Sequence, residues 1–214
     1  MAAVSVSAIH ADSPRRASWM YSLAGWLFVQ LLALLIPVLH IPLSDSFVLP
    51  ADRAALDVML VVQIAFAAML FPSLLLDLRT MLISAAATWP FLQLAGTLSA
   101  AEPLRIVLAG CYVCAWLALL WLYRWMLPCE KSRLMAVAIA AIVAIGLPVA
   151  WYFRAEFFTG RSDPIWDGDG LLGPVMGALA IVHQPRASLV PWLPISGAML
   201  VALPLAILLF GRES

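Results

Sequence analysis

The sequence predicts an all-α fold, a polytopic transmembrane bundle of about six spans with one short re-entrant or interfacial helix. Two compositional observations and one pattern carry that expectation. Hydrophobic residues make up 64% of the 214 positions, and only 11% are charged. The mean hydropathy of +1.01 is far above that of a water-facing domain, which draws about a quarter of its residues from Asp, Glu, Lys and Arg. Apolar runs of membrane length recur along the chain, separated by short segments that hold the charges. A bilayer core about 30 Å thick needs roughly 20 helical residues, because a helix satisfies its own backbone groups in hydrocarbon.

Six runs meet that length: 19–40, 58–76, 81–101, 106–123, 134–153 and 189–210. The first follows Arg15 and Arg16, as a signal peptide would, but it exceeds the roughly 7 to 15 residues of a signal core and no small-x-small cleavage site follows. It reads as a retained span. The third contains Pro90, Gln93, Gly96 and Thr97, yet no charge interrupts it between Arg79 and Glu102.

Lys and Arg set the orientation. With the N-terminus inside, the inner segments hold Arg15, Arg16, Arg79, Arg124, Lys131, Arg133 and Arg212, and the outer ones Arg53, Arg105, Arg154, Arg161 and Arg186. The inner excess places both termini in the cytoplasm and fits a bacterial inner membrane. The chain then divides into a cytoplasmic segment 1–18, a six-span domain 19–210 with an outer loop 154–188, and a cytoplasmic tail 211–214. No low-complexity linker and no three-plus-three repeat breaks the single domain.

Two outer loops stand out. Segment 41–57 contains Pro42, Pro50 and the aspartates Asp45, Asp52 and Asp57. Segment 154–188 contains an apolar run, 171–182, which is too short to span and fits a re-entrant or interfacial helix. Asp169 and Gly170 sit where its N-cap belongs.

Few motifs carry chemistry. A formal net charge of zero excludes a basic nucleic-acid surface. Cys111-Tyr112-Val113-Cys114 is a C-x-x-C pair, which forms a reactive disulfide where a helix N-terminus stabilises the thiolate. Membrane thiol oxidoreductases of the disulfide-forming and vitamin K epoxide reductase kinds carry such pairs, with a second external pair that this chain lacks. Packing of small residues within the fourth span is the competing reading. His40 and His183 flank the outer loops and suit interfacial hydrogen bonding; they lack the spacing of a metal or haem site. The run Asp163 to Gly170 concentrates carboxylates but misses the EF-hand template, since Leu171 falls on a ligand position. No catalytic, cofactor-binding or metal-ligating set emerges, so no cofactor and no enzymatic activity are expected.

The spans are read as free of ionisable side chains, which pumps and ion-coupled carriers use. Their polar groups, Gln30, Gln63, Ser84, Thr88, Gln93 and Thr97, suit interhelical hydrogen bonds. Ala136, Ala140 and Ala144, and Gly173 with Gly177, offer close-approach faces for a neighbouring helix, a partner subunit or a second copy in a homodimer. Trp19, Trp125, Trp151 and Trp192 fall near span ends, where indole prefers the headgroup region.

Six spans, both ends inside, and the short helix Gly173-Pro174-Val175-Met176-Gly177-Ala178-Leu179-Ala180 before the last span give a layout that resembles permease subunits of type-2 ABC exporters. The resemblance is one of topology. It implies a permease that works with a partner ATPase, with re-entrant helices closing the outer side of the pathway. The segment Leu76-Asp77-Leu78-Arg79-Thr80 is much shorter than that family's coupling segment, and no residue is carried over. The expected function is a non-catalytic membrane subunit acting in transport with a partner ATPase or within a larger membrane complex. The alternatives are a thiol oxidoreductase using Cys111 and Cys114, and a structural subunit of a respiratory or photosynthetic assembly.

Overall fold

The computed structural model describes residues 13–38, 54–126, 130–146, 149 and 173–183, and all regular structure among them is helical. In chain order these are α1 (Ser13–Val38), α2 (Ala54–Leu74), α3 (Leu78–Leu98), α4 (Pro103–Met126), α5 (Glu130–Ala141) continuing as a π-helix (Ile142–Gly146), and α6 (Pro174–His183).

Among the described residues, four helices are long and apolar enough to cross a membrane, within α1 to α4. These are the first four expected spans. The fifth, expected at 134–153, starts earlier, at Glu130, and leaves α-geometry at Ile142. The sequence offers a reason: Pro148, four residues after Ala144, has no N–H to donate to a helical carbonyl. Most of 147–153 and the sixth expected span, 189–210, lie outside the described residues, as do the N-cap proposed at Asp169 and Gly170, and Trp151 and Trp192.

α2 is the hub, packing against α1, α3, α4, α5 and α6. Its span is 61% buried within the bundle, against 22% for α1 and 28% for α3. The sequence explains this, because α2 is apolar on every side, as a fully surrounded helix must be. Phe71 of α2, Trp26 of α1, and Tyr112 and Trp116 of α4 are the bulkiest core side chains. Outward on α1 stand Met20, Tyr21, Phe28 and Leu31. That inverted surface is stable only in lipid, where helices associate through close packing and hydrogen bonds rather than apolar burial.

Both devices are present. Glycine admits close approach where α3 meets α4: a Cβ on Gly110 would stand 2.2 Å from the Trp89 ring, and one on Gly96 would stand 2.3 Å from Cδ1 of Ile106. Hydrogen bonds cross at three levels. The Ser22 hydroxyl donates to Oγ of Ser73 at 2.8 Å, tying α1 to α2, and the Trp116 indole donates to the Ile64 carbonyl at 3.1 Å, tying α4 to α2. Beside Ile64, Gln63 Nε2 donates to Gln30 Oε1 at 2.8 Å and to the Thr88 carbonyl at 3.3 Å, joining α1, α2 and α3. Gln30, Gln63, Ser84 and Thr88 are buried as expected of interior polar groups; Thr97 is exposed and donates to its own helix at Leu94.

The tight hairpin between α2 and α3 is fixed by a reciprocal cap. Asp77 Oδ1 accepts from the Thr80 N–H at 2.7 Å, and Thr80 Oγ1 accepts from the Asp77 N–H at 2.9 Å. This capping box satisfies two donors that the start of α3 would otherwise leave open.

Candidate functional site

Four helix ends converge at one end of the bundle: the starts of α2 and α4, and the finishes of α3 and α6. Each has backbone groups that its own helix cannot pair. The chain solves this locally in a way that builds a polar site.

α3 closes on a left-handed residue. Ser99 is the C-cap, Ala100 adopts φ 48°, the Ala100 N–H donates to the Thr97 carbonyl at 3.2 Å, and the Ala101 N–H donates to the Gly96 carbonyl at 3.0 Å. This pair of bonds is a Schellman closure, normally built with glycine at the left-handed position. The turn aims Ser99 at the start of α2, where its Oγ accepts the Leu56 N–H at 2.9 Å. It also delivers Glu102, whose carbonyl accepts the N–H groups of Arg105 and Ile106 and so caps α4.

The next residue of α2 is Asp57. The sequence reading left it in an outer loop, and the spans free of ionisable groups; both are corrected, because α2 begins at Ala54 and carries Asp57 in its first turn, buried inside the membrane-length segment. A carboxylate there lies at the positive end of the helix dipole. His183 ends α6, at the negative end of that helix, and its Nε2 sits 2.9 Å from Oδ1 and 2.8 Å from Oδ2 of Asp57. The two side chains are only 9% and 5% exposed. An ionised carboxylate accepts only, so with Asp57 in that form the contact uses the Nε2–H tautomer of His183.

Arg105 completes the clasp. Its Nη1 donates to the Val182 carbonyl at the end of α6, and its Nε pairs with Glu102 Oε2 at 3.3 Å. A cation on the last carbonyls of a helix satisfies orphan acceptors and complements the dipole. α6 is therefore held from α2 by the contact between His183 and Asp57 and from α4 by a guanidinium.

The short helix differs in detail from its expected range of 171–182. It begins at Pro174, whose missing N–H costs nothing at a first helical position, after Gly173, whose carbonyl accepts the Gly177 N–H at 3.0 Å. Nearly all of it is buried, with Leu179 and His183 half-buried, so it is embedded in the bundle end. An interfacial helix would leave a polar face to water. This one has none.

Beside the clasp lies a cavity of about 390 Å³, lined by Leu56, Ser99, Ala100, Ala101, Glu102, Arg105, Val182 and His183. Both signs of charge face it, from Glu102 and Arg105.

The other sequence candidates stand apart. Cys111 and Cys114 are free thiols well inside α4, Cys111 exposed and Cys114 half-buried. His40 and the carboxylates of 163–170 lie outside the described residues; His183 pairs with Asp57. Among the described residues no three metal-ligating side chains gather. What the sequence reading missed was Asp57, Ser99, Glu102 and Arg105 as one constellation. The signals were acidic residues just ahead of apolar runs, which mark first turns and caps.

Comparison with known proteins gives no match: no family model, no curated protein and no solved structure is significantly similar to the chain.

Proposed function

We propose that the chain is a non-catalytic, permease-like subunit of a membrane complex, crossing a bacterial inner membrane about six times with both termini in the cytoplasm, and acting in transport with a partner ATPase. The observation that carries this reading is α6. A helix of 10 residues, too short to span, is embedded in the bundle end and clasped there by Asp57 and Arg105. Non-spanning helices at membrane depth are tolerated where protein surrounds them or a polar cavity adjoins them. Here both conditions hold, and the site sits on the side that the distribution of Lys and Arg assigns to the exterior.

In this reading α6 is a plug in the outer mouth of a pathway, and the energy for moving it comes from another subunit. Affinity purification of the tagged chain in mild detergent tests it. Co-purification of a nucleotide-hydrolysing subunit is the expected result; a lone stable monomer, or reporter fusions that place the two termini on opposite sides, would refute it. The thiol alternative has its own readout. Alkylation and mass spectrometry should find Cys111 and Cys114 as two separate thiols, and an exchangeable disulfide between them would favour an oxidoreductase.

A further inference from the structure

The first turn of α4 sets opposite charges side by side in the wall of the cavity. Arg105 uses Nε on Glu102 and Nη1 on the Val182 carbonyl, which leaves Nη2 without a partner among the described residues. Glu102 uses Oε2 on Arg105 and leaves Oε1 in the same state. The Glu102 side chain is 62% exposed, and that of Arg105 is 27% exposed. His183 forms another part of the wall, with Asp57 behind it.

These charges select a ligand class. The cavity wall carries one carboxylate, Glu102, beside one guanidinium, Arg105, and the imidazole of His183. A simple anion entering it meets the Glu102 carboxylate. A simple cation meets the guanidinium. A molecule that carries both charges can place its anionic group on Nη2 of Arg105 and its ammonium on Oε1 of Glu102, each as a charge-assisted hydrogen bond. The cavity volume of about 390 Å³ lies within the usual range for small-molecule sites. Its wall includes Ala100 in the left-handed region, and backbone strain of that kind collects at ligand sites.

We infer that this cavity binds a small zwitterion, an ammonium joined to a phosphate or carboxylate, held between Glu102 and Arg105 against His183. The ligand could come from solution, as a free amino acid or phosphoethanolamine, or from the bilayer, as a phosphoethanolamine headgroup. Such binding is independent of any role in transport.

The test uses the full chain, purified in neutral detergent and titrated calorimetrically with phosphoethanolamine, glycine, ethanolamine and inorganic phosphate. A soluble ligand predicts that one of the zwitterions binds at least about tenfold more tightly than ethanolamine or phosphate, the effect of one charge-assisted hydrogen bond. Glu102→Gln should remove that advantage while leaving the melting temperature of the empty chain unchanged. A lipid source predicts instead that the chain, released from mixed nanodiscs, retains phosphatidylethanolamine over phosphatidylglycerol, and that Glu102→Gln abolishes the preference. Equal binding of whole and half ligands, binding insensitive to Glu102→Gln, or failure of both the soluble and the lipid arms would overturn the assignment.

Discussion

The imidazole of His183 and the carboxylate of Asp57, 126 residues apart in sequence, meet through one nitrogen and both oxygens at 2.8 to 2.9 Å. Burying two charges is costly, and a buried pair is often no better than apolar side chains of the same volume. Removing one member alone is different, because the other stays desolvated after losing its partner in this contact.

Asp57→Asn and His183→Ala should each therefore lower stability by about 3 kcal/mol or more. The double substitution of Asp57 and His183 by apolar residues should recover much of that loss. Reversible unfolding in mixed micelles, analysed as a double-mutant cycle, reads the coupling; independent effects would show that the clasp does not hold α6.

Gln63→Leu removes both interhelical donors to Gln30 and Thr88. Interhelical hydrogen bonds in membranes average about 0.6 kcal/mol and reach about 1.7, so a loss of about 1 kcal/mol is expected. Adding Gln30→Leu should cost little more, since both substitutions sever the same bond. The same unfolding assay checks it, and full additivity would contradict the network.

Gly110→Ala should destabilise by about 1 to 3 kcal/mol, the range for overpacking, because the Trp89 ring occupies the space a Cβ needs. Trp89→Leu should rescue it. Gly96→Ala should cost less, since Cδ1 of Ile106 can swing aside by rotation and a rigid indole cannot. Melting temperatures of the single and double variants decide the order.

Ala100→Gly should raise stability by about 1 kcal/mol, the penalty an L side chain carries in the left-handed region. If Ala100 shapes the cavity wall, the gain should come with weaker ligand binding, in keeping with strain held at functional positions. A stabilised variant with unaltered binding would mean that the strain serves only the turn.

Length and charge spacing make the four spans legible in the sequence, because hydrocarbon thickness imposes both. The hairpin at Asp77 was legible too, as a short polar break between apolar runs. Asp57 was not, since hydropathy assigns a charged residue to the nearest loop and is blind to a first turn that holds the charge inside the helix. Its partner was equally hidden: His183 looked like a surface histidine because nothing local in the sequence points across 126 residues. The π-turn from Ile142 was not legible as such, although Pro148 marks a place where an α-helix loses a donor. Ser99, Glu102 and Arg105 look like ordinary linker residues until the Schellman turn at Ala100 gathers them.

The distance along the chain between Asp57 and His183 has a consequence for biosynthesis. At about 5 to 20 residues per second, a ribosome needs roughly 6 to 25 s to extend from one to the other. During that interval α1 to α4 can leave the translocon and settle in lipid, with the first turn of α2 holding a carboxylate whose counter-ion has yet to be made. The mouth of the bundle thus matures only after α1 to α4 are in place, and until His183 arrives a nascent copy exposes an incomplete clasp to quality-control proteases.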